Sequence, residues 1–319
     1  MVRVLLLCTL MLLALTGRAA QFAYITNQGA DSVSVIDLQQ NKVIQDIRVG
    51  KGPVGVAVDS FQNRVYVSNV DSRSVSVIDM LSHQIVAEIP LDIAPVGIAL
   101  SKDGARLFVA DWYHDRILVI ETKTLQIAKE IKSIGKAPAG MAVSREGASL
   151  YVAYRDSNDV GVIDTRSLKE VNRISVGQHP FGISLGNDGR KLYVVNVEGN
   201  SVSVIDTHQD KVTATIGAGD HPYCVTSNAD GSRIYVTNTG EDSVSVVDTK
   251  TSKTIAKLSP GAFPEGIAFD AERGRVIVVS WMDDSVSIFD SQTHQKLHTI
   301  STGSKSRSFG TFIGSPTKQ

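Results

Sequence analysis

The sequence predicts an all-β, seven-bladed β-propeller with four antiparallel strands per blade, closed by a C-terminal strand that joins the N-terminal blade. Three observations carry this prediction: a constant repeat period, four strand-like segments in each repeat, and chain ends that complement each other. Val-Ile-Asp or a close relative ends at Asp37, Asp79, Glu121, Asp164, Asp206, Asp248 and Asp290, with successive spacings of 42, 42, 43, 42, 42 and 42 residues. Self-similarity at about 40 residues, each unit too small to bury its own apolar face, is the mark of a propeller blade.

The elements of one unit follow in order. A strand opening on Pro comes first, as in Pro53-Val54-Gly55-Val56-Ala57 and Pro180-Phe181-Gly182-Ile183-Ser184. Next comes an aromatic strand such as Tyr66-Val67-Ser68-Asn69. Between the two, Asp103-Gly104, Asp188-Gly189 and Asp230-Gly231 mark tight hairpins that need positive φ. The third strand alternates small polar and β-branched residues, as in Ser74-Val75-Ser76-Val77, the period-2 pattern of a half-buried strand. The closing strand is typified by Lys211-Val212-Thr213-Ala214-Thr215-Ile216. The chain enters at Phe22 in an aromatic strand and ends on Ser308-Phe309-Gly310-Thr311-Phe312-Ile313, aligned here with the missing Pro strand, Ser308 standing for Pro. Residues 20–319 are therefore expected to form one propeller domain.

Residues 1–19 read as a cleaved signal peptide: Arg3, an apolar run from Val4 to Leu15, and Gly17-Arg18-Ala19 before a cut after Ala19. The run is short for a membrane span, so no span is expected after cleavage, and a periplasmic or secreted location follows. Cleavage takes the formal charge from −1 to −3 and leaves Cys224 as the one cysteine. An intrachain disulfide, an iron–sulfur site and a strongly basic nucleic-acid surface are thereby excluded. Cys224 itself reads as a buried, inert thiol.

Tyr235-Val236-Thr237-Asn238, with the Ser-Val-Ser-Val-(Ile/Val)-Asp run and the Pro-x-Gly strand around it, resembles the YVTN β-propeller repeat family over all seven units, from about Phe22 to Gly314. The resemblance implies a secreted or periplasmic propeller whose relatives include binding proteins, surface-protein modules and propeller domains of redox enzymes; lactonase-like propellers share the shape. It carries over no catalytic residues.

Positions that depart from the repeat mark the candidate site. The residue before each Pro reads Arg307, Gly52, Ala94, Ala137, His179, His221 and Phe263 around the ring, with Glu265 following Pro264. The Asn that ends the aromatic strand, expected to cap its turn by bonding backbone, becomes Asp111, Tyr154 and Ser280, followed by Trp112, Arg155 and Trp281. Both sets lie on one face, called the top, which is taken as the functional face. His179, His221, Arg307, Phe263, Glu265, Asp111, Trp112, Tyr154, Arg155 and Trp281 are the expected lining of a ligand-binding funnel. Gly182-Ile183-Ser184-Leu185-Gly186 spells a nucleophile-elbow pattern but sits in an inner strand rather than a strand–turn–helix, so no catalytic serine is assigned.

The reading that follows is an exported, monomeric, non-enzymatic propeller, without cofactor, binding a protein partner or small ligand. Two alternatives stand beside it. One is a metal-assisted hydrolase or lactonase with His179 and His221 as metal ligands and Glu265 as base or third ligand. The other is an accessory propeller of an exported redox enzyme.

Overall fold

The computed structural model describes residues 20–132 and 135–317. The signal-peptide reading therefore lies outside the described residues. Among those residues no helix is long and apolar enough to cross a membrane. The one helical segment among the described residues is a single 3₁₀ turn, Arg155–Ser157.

Seven four-stranded antiparallel units form the ring. Blade 1 holds Phe22–Asn27, Ser32–Asp37 and Lys42–Arg48. Blades 2 to 7 begin with inner strands Pro53–Asp59, Pro95–Leu100, Pro138–Val143, Pro180–Leu185, Pro222–Ser227 and Pro264–Asp270. Each then runs outward through an aromatic strand, a Ser-Val strand and an exposed outer strand. The Ser-Val strands are buried almost throughout because both faces pack against neighbouring blades, whereas the outer strands are largely exposed.

The expected turn chemistry is present. Gly104, Gly189 and Gly231 hold φ of 68°, 74° and 70° in the lower hairpins. Asp37 accepts the backbone N–H groups of Gln39 and Gln40, and Asp290 those of Gln292 and Thr293, in the lower turns that follow the Ser-Val strands. The Asn of the aromatic strand does a structural job beyond the one expected. Asn69 donates from Nδ2 to Ser74 and Ser76, and Asn196 to Ser201 and Ser203, so it ties two strands together; Asn238 does the same and also accepts the Gly219 backbone N–H, the bond to backbone that was expected.

Seams between blades are made by small devices that recur. The buried tyrosines reach the next blade: Tyr151 donates to Asp210, and Tyr235 to the Ser291 carbonyl. The Gly of Pro-x-Gly lets adjacent inner strands approach closely; a Cβ on Gly97 would lie 2.0 Å from the Ala139 carbonyl oxygen.

The C-terminal strand closes blade 1 as expected: Ile313 pairs with Ala23 and Gly314 with Phe22. Its upper half is in a different register from the aligned one. Ser306, not Ser308, bridges Asn27, the place Pro264 takes opposite Ser280. From Ser306 to Phe312, which accepts from the Tyr24 N–H, this strand carries two residues more than blade 7 does from Pro264 to Ala268. The surplus pushes Phe309–Thr311 toward the channel, where they pair in parallel with Gly55–Ala57 of blade 2.

Candidate functional site

The corrected register reassigns the top positions. The closing-blade counterpart of His179, His221 and Phe263 is Lys305, because all four hold φ of 48–55° and all four are latched in the same way. The backbone N–H of His179 donates to Asn158, that of His221 to Asn200, that of Phe263 to Asp242 and that of Lys305 to Asp284, each acceptor lying in the top hairpin of the preceding blade. Gly52 and Ala137 are held alike by Asp31 and Asp115. At the remaining seam Arg73 occupies the acceptor position and cannot serve.

Arg307 is therefore not the residue before a Pro equivalent; it occupies the middle of the Pro-x-Gly position. That position reads Arg307, Val54, Val96, Ala139, Phe181, Tyr223 and Glu265 around the ring. Here the sequence-level reading missed Phe181 and Tyr223, although a position that passes from Val and Ala to Phe, Tyr, Glu and Arg within a uniform strand is a legible signal. Glu265 and Arg307 meet as a bidentate pair, with Nε to Oε2 at 2.5 Å and Nη2 to Oε1 at 3.0 Å. Arg307 also donates to the Tyr223 hydroxyl at 2.7 Å and to Gln28 at 3.2 Å. Burial holds the Glu265 carboxyl above the ordinary glutamate range, a shift that Arg307 reduces without reversing.

Phe181 packs against Tyr223, Phe309 and Trp112, with centroids at 4.5, 4.8 and 5.6 Å. Trp112 of blade 3 thus leans past blade 4, whose Ala139 leaves room, onto blade 5. The channel is stoppered near its top by aromatic rings and one ion pair. Cys224 lies beside this plug, free and buried, its thiol pushed up by that burial.

The second set of departures divides in two. Trp112 is covered by the Arg155 guanidinium at 5.4 Å, and Trp281 packs on Phe263 at 5.6 Å under the Lys305 ammonium at 5.4 Å. These five side chains form the top rim, and Tyr113 and Met282 beside them are 71% and 62% exposed. Asp111 and Tyr154 turn inward instead, and both are fully buried. Asp111 accepts from Arg116 Nε at 2.8 Å and from His114 Nδ1 at 2.9 Å, replacing the Asn–Ser tie with an ionic one. Tyr154 reaches outward to Glu170 at 2.9 Å through space left by Gly161, where a Cβ would lie 2.3 Å from the ring. Neither faces the funnel; each is a compensated repair of the blade.

The three-ligand arrangement that a metal-dependent hydrolase needs does not fit these residues. His179 Nδ1 lies 3.6 Å from Glu198, His221 Nδ1 lies 2.8 Å from Asp220, and both Glu265 oxygens are engaged by Arg307. No group of three or more His, Cys, Asp or Glu side chains converges among the described residues.

Below the plug the channel opens into a cavity of about 640 Å³, lined by inner strands of every blade and reaching the lower face at Lys102, Arg145 and Glu272. This cavity thus opens on the face opposite His179, His221, Phe263, Trp112 and Trp281.

Solved structures with this architecture include hydrazine synthase of Kuenenia stuttgartiensis, 22% identical, with TM-score 0.74 over 80% of this chain and 88% of that one. A functionally unknown protein from Desulfotomaculum acetoxidans is 16% identical, with TM-score 0.77 over 93% and 99%. Dihydro-heme d1 dehydrogenase NirN, in complex with DHE, is 15% identical, with TM-score 0.70 over 89% and 74%. At these identities the likeness concerns the fold alone. No curated protein matches the sequence significantly. The family model for lactonase, 7-bladed beta-propeller, matches residues 84–167 and 162–311, most of the ring, and the chain belongs to that family.

Proposed function

We propose that this chain is an exported, non-enzymatic propeller of the YVTN-repeat type whose top face docks a protein partner. The observation that carries the reading is a top mouth that is filled rather than hollow. Phe181, Tyr223, Phe309 and the Glu265–Arg307 pair occupy its depth, while Tyr113 and Met282 project from the rim beside Trp112 and Trp281. A filled mouth with projecting apolar tips offers area, and area with aromatic anchors suits a protein surface better than a small molecule. The hydrazine synthase and dihydro-heme d1 dehydrogenase likenesses make an exported redox enzyme the first partner class to test.

A photo-crosslinking residue placed at Tyr113 or Met282 is expected to trap one and the same protein from the exported fraction. The same residue at Phe61, 80% exposed on the lower face, is expected to trap none. Absence of an adduct at both upper positions, or the identical adduct at Phe61, overturns the reading.

The family description favours lactone hydrolysis as a second reading. Its test is lactone turnover by protein supplemented with Zn, Mg or Ca. Turnover above the buffer rate supports it, and no turnover removes it.

A further inference from the structure

Independently of the top face, we infer that the lower channel is a binding site for a small anionic amphiphile, a medium-chain carboxylate entering tail first. The site is a blind cavity of about 640 Å³, within the size range of small-molecule pockets. Its width comes from one level of the ring at which six blades carry small side chains, Ala57, Ala99, Ala142, Ser184, Thr226 and Ala268, at one repeat offset, while the closing blade places Phe312 there. Had six blades carried Leu there, the channel would be packed solid. Phe309 closes its inner end, held from behind by Phe181, because the two extra residues of the closing strand bring that ring to the axis. Further side chains lining it include Ile98, Met141, Ile183 and Ile267.

The mouth is chemically lopsided. Lys102 of blade 3 and Arg145 of blade 4 lie next to each other on its rim, and Glu272 of blade 7 lies elsewhere on it beside Arg273. Arg145 donates to the carbonyls of Asn187 and Asp188, which leave its positive charge uncompensated. The nearest carboxylate in sequence to Lys102, Asp103, accepts from Ser101 and the Ala105 N–H. Among the described residues neither cation forms an ion pair. An apolar bore ending in a two-cation rim is complementary to a hydrocarbon tail with a single carboxylate head.

Dodecanoate is the probe, added below its micellar concentration to the mature chain in a calorimetric titration. Saturable one-to-one binding is expected. Lys102→Glu with Arg145→Glu is expected to weaken dodecanoate at least tenfold and leave dodecanol within twofold. Ala142→Phe, which puts a ring into the bore, is expected to abolish binding of both, and Ser184→Leu repeats the block from another blade should the first variant fail to fold. No saturable binding by the parent protein, an unchanged dissociation constant in a folded bore-filling variant, or a charge reversal that leaves dodecanoate within twofold overturns the inference. None of these outcomes bears on crosslinking at Tyr113 or Met282.

Discussion

The two ends of the channel are built from the same seven strands, yet they are opposite in kind. At the upper end the inner-strand residues grow from Val and Ala in blades 2 to 4 to Phe, Tyr, Glu and Arg in the rest, and they fill the axis. Lower down, Ala57, Ala99, Ala142, Ser184, Thr226 and Ala268 stay small and leave room for the cavity, with Phe312 of the closing blade the exception. A repeat scaffold with fixed backbone thus sets plug or cavity by side-chain volume at a single offset. The difference also separates energetics: the upper end is a place where substitutions should cost stability, and the lower end one where they should change only what fits.

The sharpest test of that contrast is charge. Glu265→Leu strands the Arg307 guanidinium in a nearly dry environment, and a loss of about 3–5 kcal/mol is expected by urea unfolding. Arg145→Ala at the lower rim is expected to stay within about 0.5 kcal/mol. Restoring much of the loss by adding Arg307→Met to Glu265→Leu would show that the stranded charge, and not lost packing, is responsible. Next in size is Phe309→Ala, with an expected loss of about 3 kcal/mol from the emptied ring site. A crystal structure of that variant should show the lower cavity running on toward the top. Asp242→Ala unlatches the Phe263 N–H, and about 1–2 kcal/mol is expected in thermal melts.

The smallest effect concerns pH. The Thr251 hydroxyl and then its backbone N–H hold the Asp248 carboxyl, on the lower face, below the ordinary aspartate range. A depressed folded value means its stabilisation is full above about pH 4, where an unfolded aspartate ionises, and fades as pH falls through the lower folded value. Asp248→Asn should melt below the parent at neutral pH and converge with it in acid.

Blade number, strand order, turn residues and ring closure were legible because each is written several times over in a chain with a 42-residue period. The site was harder. His179, His221, Phe263, Trp112, Arg155 and Trp281 lie on the top rim, since hairpin phase alone decides the face. Arg307 was placed two residues out of phase because the closing strand is expanded between Ser306 and Phe312, and a period cannot report an insertion in its last copy. Asp111 and Tyr154 looked like functional departures but had partners a few residues away, Arg116 and Gly161, that absorb them. A departure from a repeat that carries its own compensation reports repair. Trp281, with its indole N–H unmatched, carries none.

The bond from the Arg307 N–H to the Thr26 carbonyl joins residues almost at opposite ends of the chain. Thr26 is synthesised long before Arg307, so blade 1 stays an open three-stranded edge until the closing strand is made. Removing the segment that follows Arg307 takes away the fourth strand of that blade and the Phe309 ring of the plug together. Closure of the ring and the Phe309 ring at the channel axis thus depend on one and the same strand.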